Sequence, residues 1–166
     1  ALKYSQDINF DESIFEQINN LKNIVPRNGV QIINSENSEY SNVAINSKNC
    51  YLSNTCYWNE DVHYSSWVLR SKSSMDCYRS ISIESCYNAI LCNNSSNIFY
   101  SLNINNSYNC LFSYGLDSCS HCFMCTNLVN KKYCIQNKQY TKEGYLEYMK
   151  NIDLSKNLEN YIIRTT

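Results

Sequence analysis

The sequence predicts an all-β solenoid, or β-helix, built from twelve-residue repeats and flanked by short N- and C-terminal helices. Three observations predict it. Side chains of matching size recur every twelve residues between Asn34 and Asn137, that stretch is rich in Tyr, Ile, Val, Ser and Cys, and the whole chain holds only 3 Gly and 1 Pro. A short, strand-forming repeat is typical of stacked coils that each bury a face on the next. We expect about seven or eight coils over residues 31–138.

Small side chains mark the predicted interior of each coil. When rows of twelve begin at Ser47, the fourth, seventh and tenth positions stay small or apolar, which suits a narrow coil with an inward residue at every third position. The fourth column contains Cys50, Val62, Ser74, Cys86, Ile98, Cys110, Cys122 and Cys134, and the fifth contains Tyr51, His63, Met75, Tyr87, Phe99, Leu111, Phe123 and Ile135. A wider coil of two repeats is the competing geometry, and the geometry decides whether the fifth column is core or an external ladder.

The turns of this solenoid must form almost without the usual turn residues. Gly and Pro are too few to supply several turns per coil, whereas Asn and Ser are abundant. Asn tolerates left-handed backbone, and the side chains of Asn and Ser hydrogen-bond the local backbone. We therefore expect Asn and Ser to make the turns.

Residues 1–30 form a predicted N-terminal segment with a capping helix. The stretch Asp11–Leu21 has apolar residues at helical spacing behind a capping-competent Asp, which predicts a helix over 11–23 that ends before Pro26. We expect this helix to cover one open end of the coils, because an uncovered end invites edge-to-edge aggregation.

Residues 139–166 form a predicted C-terminal cap and tail. Thr141 is able to cap a helix that runs through Tyr145 and Met149 to Ile152, although Gly144 weakens it. The tail from Leu154 to Thr166 fits either a third short helix or a strand.

Charge and hydropathy exclude several functional classes. Lys plus Arg number 14 against 15 acidic residues, so the chain has no electrostatic footprint for nucleic acid or an anionic membrane. No apolar run approaches the length of a membrane-spanning helix, and residues 1–9 show no secretory signal. The sequence thus disfavours nucleic acid and membrane as partners.

The densest group of candidate metal ligands is Cys119, Cys122 and Cys125, with Cys134 nine residues later. Four thiolates at close spacing are able to hold a tetrahedral zinc or an iron–sulfur cluster. The twelve-residue repeat already accounts for Cys122 and Cys134 without a metal, because Cys packs well as a small apolar side chain. A metal site is therefore the alternative interpretation, and no cofactor is the preferred one.

Disulfides are a further alternative for the cysteines. The pairs Cys50–Cys56, Cys86–Cys92 and Cys119–Cys125 are each six residues apart, half a coil, and would face each other across a narrow interior. Cys77, Cys110, Cys122 and Cys134 would have no such partner. Because no signal sequence is visible either, free thiols are favoured.

Catalytic patterns are not evident. His121 beside Cys122 would need an orienting third group to act as a base for a nucleophile, and we expect both His63 and His121 to be solvent-facing or stacked rings. Three Gly cannot form a phosphate loop, and paired carboxylates do not recur in one column. The sequence therefore predicts a protein that is not an enzyme.

Exposed aromatic residues offer two interpretations. Trp58, Trp67 and the many Tyr residues could form a stacking or sugar-binding face, but aromatic ladders also stabilise stacked coils, which is the favoured interpretation. Antifreeze solenoids also use twelve-residue coils with Cys inside, yet the regular Thr rows of such proteins do not occur here.

Several segments carry a resemblance to a known family: Asn34–Asn42, Ser47–Leu52, Asn59–Asp61, Trp67–Leu69, Cys86–Tyr87, Cys119–Cys125 and Asn130–Tyr140. They resemble the C-terminal Cys-rich repeat region of an uncharacterised family from candidate-phyla bacteria and large DNA viruses, often mislabelled as CaiB/BaiF. The resemblance runs from about Asp7 to Lys150. In that family, zinc-ribbon-like segments precede this region and Cys occupies both the fourth and seventh positions. Here the seventh is often Ser or Ala, as at Ser53 and Ala89.

This resemblance implies a fragment of a larger protein with an intracellular or virion-associated location. The function that the sequence favours is a structural or protein-interaction scaffold that binds a protein partner or other domains of a larger chain, with self-association as a further expectation. The alternative is a zinc- or iron–sulfur-containing module of a larger nucleic-acid-associated protein.

Overall fold

A computed structural model of the chain describes residues 2–26 and 29–152, and the chain divides into two compact units, Ala1–Gln31 and Ile32–Thr166. The first unit contains a 3-10 turn at Leu2–Tyr4 and a helix, α1, at Ile14–Ile24. The predicted helix is thus confirmed, but it begins three residues later than predicted because Ser13 is its N-cap. None of its residues is buried, and its capping role stays a prediction.

Within the described residues, the strands are β1 Gln31–Ile33, β2 Val43–Ile45, β3 Asn54–Tyr57, β4 Glu60–His63, β5 Ser66–Leu69, β6 Lys72–Met75, β7 Tyr78–Glu84, β8 Tyr87–Ile90, β9 Asn93–Asn105, β10 Tyr108–Leu111, β11 Tyr114–Asp117, β12 Ser120–Phe123, β13 Lys132–Ile135 and β14 Lys138–Gln139. Parallel pairs are consistently twelve residues apart, as in Cys110 opposite Cys122. One repeat is therefore one coil, and the two-repeat geometry is excluded. The predicted all-β solenoid with twelve-residue repeats, one N-terminal helix and one C-terminal helix is confirmed.

The solenoid has about nine coils, slightly more than the seven or eight expected. The additional coil lies at the start, where the inward residues are Ser35, Ser38 and Ser41 followed by Ala44. This coil lies inside the predicted range of residues 31–138, but the rows from which the coils were counted begin at Ser47 and leave it out.

Each coil turns one residue inward at every third position, so that every third residue from Ser38 to Cys125 is buried. Two of the four inward columns are mainly apolar, and the largest side chains in them are Ile98, Ile104 and Leu116. The other two are rich in Ser. The fifth column lies outside over most of its length, with Tyr51 40% exposed, so it is an external ladder.

Inward Ser side chains complete the backbone hydrogen bonding. The Ser53 hydroxyl lies 3.0 Å from the Tyr51 carbonyl and 3.2 Å from the Val62 carbonyl, and it accepts the Ser65 N–H at 3.2 Å. The same arrangement repeats along both Ser columns. Buried backbone groups need such partners, so Ser is as much a structural requirement of these columns as small size is.

The corners of the coil have left-handed backbone, since every third residue from Asn46 to Gln136 has a positive φ. Asn is the commonest corner residue, as expected, and its amides stack between coils, with 3.0 Å between Asn37 Nδ2 and Asn49 Oδ1. Tyr, Trp and Leu also occupy corners, although left-handed backbone costs such residues about 1–2 kcal/mol each. The stacked coils must offset this cost.

The last coil is followed by a reversal and a helix. Strand β14 pairs antiparallel with β13, Thr141 accepts the Gly144 N–H at 3.1 Å, and the helix α2 occupies Lys142–Lys150. The predicted second helix and its cap are thus confirmed. The tail predicted over Leu154–Thr166 lies outside the described residues. No helix of the described residues is both long and apolar enough to span a membrane.

Candidate functional site

Four sides of the solenoid separate the inward columns, and each carries two outward residues per coil. One side is mostly apolar, although His63, Asp76 and Asn88 interrupt it in the middle coils. We call it the aromatic face and define it by Tyr40, Tyr51, Leu52, Tyr64, Tyr87, Phe99, Tyr100, Leu111 and Phe112. Sequence analysis found the fifth column of this face but missed the sixth, which contributes Leu52, Tyr64, Tyr100 and Phe112 at the same twelve-residue spacing.

The rings of the aromatic face form a continuous chain in the later coils. The ring centroids of Tyr87 and Tyr100 are 5.2 Å apart, those of Tyr100 and Phe112 are also 5.2 Å apart, and Phe112 lies 5.9 Å from Phe123. These separations are those of favourable edge-to-face and stacked pairs. The contacts hold the rings in place, so the face presents a preformed surface.

Helix α2 covers the end of this ring chain. Its Tyr145 is buried against Phe123 and Ile135 and also contacts the rings of His121 and Tyr133 on the neighbouring side, and Met149 packs beside this cluster. Burial raises the pKa of the Tyr145 phenol and keeps it neutral. Before α2 the face is open, because Tyr64 is 52% exposed and Tyr100 is 41% exposed.

The neighbouring side carries a ladder of alternating charges. Lys48 Nζ lies 3.4 Å from a Glu36 carboxylate oxygen, and Lys72 Nζ lies 3.0 Å from a Glu60 carboxylate oxygen. Glu60 raises the pKa of Lys72 by accepting its hydrogen bond and by charge attraction. The charges on this side therefore largely satisfy one another.

An open groove of about 1320 Å³ runs along the first four coils, beside this charged ladder. One wall holds Trp58 and Arg70, the other holds Lys48 and Glu60, and buried polar side chains such as Asn59 line its floor. The Arg70 guanidinium lies 5.7 Å from the Trp58 ring centroid. We call it the Trp58 groove. Sequence analysis identified Trp58 but not the groove around it.

The four predicted metal ligands all face the interior. Cys119, Cys122 and Cys125 occupy three successive inward positions of one coil, and Cys134 lies directly opposite Cys122 on the next coil. Within residues 2–26 and 29–152, no group of three or more His, Cys, Asp or Glu residues has an arrangement suited to a metal ion. Zinc or iron–sulfur binding here stays a prediction, which metal analysis of chelator-free protein would check.

All ten cysteines are thiols in this structure, and all are buried. Cys50 and Cys56, one of the predicted disulfide pairs, share a hydrogen bond that lowers the pKa of Cys56 and raises that of Cys50. Burial raises the pKa values of Cys86 and Cys92 to about 11. The predicted cross-coil geometry thus brings at least one pair into contact.

The two His residues differ in their surroundings. His63 lies on the aromatic side and is partly exposed, in keeping with expectation. His121 is less solvent-facing than expected, because its ring packs 4.9 Å from Tyr133 and burial lowers its pKa. His121 points outward while Cys122 points inward, so the coil wall separates the two side chains that a nucleophile and its base would need to bring together.

No known family model matches this chain, and no curated protein sequence matches it significantly. The resemblance to the Cys-rich repeat family therefore rests on its shared segments and stays a prediction.

Proposed function

We propose that this protein is a non-enzymatic interaction scaffold whose aromatic face binds an amphipathic helix of a partner protein or of another domain of a larger chain. The observation that carries the proposal is the aromatic face itself, a row of preformed apolar side chains whose far end is already covered by a helix. The other sides of the same coils support this face and hold it rigid.

Exposure of the face supports a binding role. Large contiguous apolar patches are uncommon on soluble proteins and often mark interaction sites. Leu52 and Tyr64 are 52% exposed, and Tyr40 is 71% exposed. A partner that covered them would gain apolar burial, and the contacts already made between rings would reduce the ordering cost.

The chemistry of the occupant follows from α2. This helix packs Tyr145 and Met149, one helical turn apart, against the fifth column at Phe123 and Ile135. That column continues through Leu111 and Phe99 toward the first coils, with Tyr100 and Phe112 in the column beside it. A second helix with an apolar stripe at the same spacing fits this continuation, which is the familiar helix-in-groove mode of recognition.

A selection experiment tests the proposal even though the natural partner is unidentified. A display library of amphipathic helical peptides is selected on the full chain, and affinities are measured for the wild type and for Tyr100→Asn. Asn is chosen because it tolerates the left-handed backbone at this corner, where φ is 49°. We expect enriched peptides with an apolar stripe and at least about a tenfold loss of affinity on Tyr100→Asn.

The matched control is Tyr78→Asn. Tyr78 is also a tyrosine, 46% exposed, but it lies on another side of the coil. Its substitution should leave affinity within about twofold. Thermal melts of both variants would establish that the coil is intact. Enrichment of no peptide, or of peptides that respond to Tyr78→Asn and not to Tyr100→Asn, would contradict the proposal.

A further inference from the structure

We infer that the Trp58 groove is a carbohydrate-binding site that takes an acidic oligosaccharide, with a sugar ring on Trp58 and a sugar carboxylate on Arg70. This inference is independent of the aromatic face, because the groove lies on a different part of the coil surface. It concerns the first four coils alone.

The groove has the dimensions of a short sugar chain. It crosses four successive coils, and the spacing between coils is about 4.8 Å, similar to the size of one sugar ring. The groove is shallow and open, which suits a chain that lies along the surface and continues beyond it. Such an opening does not enclose a compact small molecule.

Trp58 provides the apolar surface. Its side chain is 53% exposed at a coil corner, held against Arg70 and 6.0 Å from the Tyr57 ring. An exposed indole offers a flat apolar surface with a polar edge. The C–H face of a pyranose ring is apolar in the same way, whereas its hydroxyls lie at the rim.

Polar side chains line both walls of the groove around the indole. Asn34 Nδ2 and Asn46 Oδ1 lie 3.3 Å apart on one wall, and Glu60 lies on the other wall. Amides donate and accept hydrogen bonds, and carboxylates accept them from hydroxyls. Together they complement a hydroxyl-rich ligand.

Arg70 favours an acidic sugar over a neutral one. The two ion pairs that form among the described residues use the groove lysines, Lys48 with Glu36 and Lys72 with Glu60, and neither involves Arg70. A guanidinium that stacks on an aromatic ring still presents its N–H groups at the edge, where it is able to bind a carboxylate through two hydrogen bonds. The groove therefore provides one cation for one sugar carboxylate.

The same charges disfavour a nucleic acid strand. A strand carries a phosphate on every nucleotide, and proteins that bind it line the path with Lys and Arg. Here Glu36, Glu60 and the nearby Asp61 stand along the path. Sparse negative charge on a sugar chain fits this arrangement better than dense phosphate charge.

Isothermal titration calorimetry on the full chain tests the inference with three probes: xylotriose that carries a single glucuronate branch, the neutral xylotriose, and oligo(dT). We expect saturable binding of the glucuronate-bearing xylotriose, weaker binding of xylotriose, and none of oligo(dT) at the same concentration. Arg70→Gln should weaken binding of the glucuronate-bearing xylotriose by at least about tenfold and leave xylotriose binding unchanged.

Trp58→Ala should abolish binding of both sugars, and Trp67→Ala is its matched control. Trp67 is 55% exposed and also occupies a left-handed corner, with φ of 59° against 55° for Trp58, but it lies outside the groove. No binding of the glucuronate-bearing xylotriose, equal binding by Trp58→Ala, loss on Trp67→Ala alone, or preference for oligo(dT) would each overturn the inference.

Discussion

The first four coils and the later coils share one backbone geometry but are held together by different interiors. In the first coils the inward side chains are mostly Ser and Asn, such as Ser47, Ser53 and Asn59, and they hydrogen-bond the backbone. In the later coils most inward side chains are apolar, and Ile98, Ile104 and Leu116 lie in the two columns that hold smaller side chains such as Val62 and Val68 in the first coils. A coil of three-residue sides thus accepts either a polar or an apolar interior, provided that the side chains are small enough and the backbone groups have partners.

This difference predicts an uneven stability along the stack. Apolar burial contributes about 25 cal/mol per Å² and does not depend on direction, whereas each internal hydrogen bond contributes only about 1 kcal/mol net. We expect the first coils to open locally before the later ones. The outer surfaces of the two regions also differ. The first coils carry the ion pairs and the Trp58 groove, whereas the later coils carry the continuous row of ring contacts and helix α2.

The largest expected effect comes from the apolar interior. Ile98→Ala should lower the free energy of unfolding by about 2–5 kcal/mol, because it leaves a cavity in a fully buried column. Urea denaturation would measure the loss. Val62→Ala, in the same column of an earlier coil, removes less side chain and should cost less. Equal losses at the two positions would contradict the contrast, because the smaller truncation in the earlier coil would then have the larger effect per carbon removed.

The polar interior should respond through specific hydrogen bonds. The Asn59 amide donates to the Val68 carbonyl at 2.7 Å, and its oxygen accepts the Ser71 N–H at 2.9 Å. Asn59→Ala leaves both groups buried without that partner and should cost about 1–3 kcal/mol. Hydrogen exchange should show the loss first at the Ser71 amide.

Asn59→Ser is the matched control for this prediction. Ser occupies the same column at Ser47 and Ser71, where its hydroxyl accepts the N–H of the next coil. Most of the stability should therefore be retained in Asn59→Ser. If hydrogen exchange at the Ser71 amide were unchanged in Asn59→Ala, the hydrogen bonds of Asn59 would not be what stabilises the first coils.

The same contrast explains how much the sequence predicted. The recurrence of small and apolar residues predicted the twelve-residue period, the parallel stacking and the inward columns. This recurrence is clearest in the coils that contain Cys86, Ile98 and Cys110. The first coil lay inside the predicted range, but it was left out of the count of coils because Ser35 and Ser38 carry no apolar signal. An inward Ser hydroxyl accepts the N–H of the next coil and donates to a backbone carbonyl. This double role depends on interatomic distances, which the aligned sequence does not give.

The candidate sites were less predictable for a related reason. The aromatic face combines two adjacent columns, and the second of them, with Leu52 and Phe112, becomes a surface only when the corner backbone is left-handed. The Trp58 groove combines residues from four coils on both sides of an inward column. The twelve-residue repeat places Arg70 next to Trp58 on the following coil, but it does not show that the outward residues on either side of the inward column form a groove.

Two buried thiols in the later coils should make the free energy of unfolding depend on pH. Cys86 and Cys92 have pKa values of about 11, against about 8.5 in an unfolded chain, so the folded state keeps protons that the unfolded state loses. This contribution to stability is fully present below about pH 8.5 and is lost as the pH rises through about 11. By pH 9.5 the loss should be about 1 kcal/mol per thiol.

A series of urea denaturations from pH 7.5 to 9.5 would measure this dependence. The comparison is with Cys86→Ser/Cys92→Ser, which retains small side chains of a kind already present at Ser74 and Ser80 in the same two columns. The double variant should lose stability with pH less steeply than the wild type. Identical slopes would mean that these thiols titrate alike in the folded and unfolded chain.

The smallest expected effect belongs to the ion pairs on the outside of the first coils. Lys48 and Glu36 are 3.4 Å apart, but their side chains are 50% and 66% exposed. Exposed pairs contribute about 0.2–1 kcal/mol and are screened by salt. Lys48→Gln should therefore lower the free energy of unfolding only slightly at low ionic strength. In roughly 0.5 M NaCl, where salt screens exposed charges over a few ångströms, it should have no measurable effect.

A small effect of Lys48→Gln would show that polar contacts on the surface of the first coils contribute less to stability than polar contacts in their interior. Asn59 and Lys48 both contact neighbouring coils through polar atoms, yet Asn59 is buried and Lys48 is not. If Lys48→Gln in low salt cost as much as Asn59→Ala, the first coils would depend on their surface charges. If its cost vanishes with salt while that of Asn59→Ala persists, the interior hydrogen bonds hold these coils together, because burial and not polarity decides the energy of each contact.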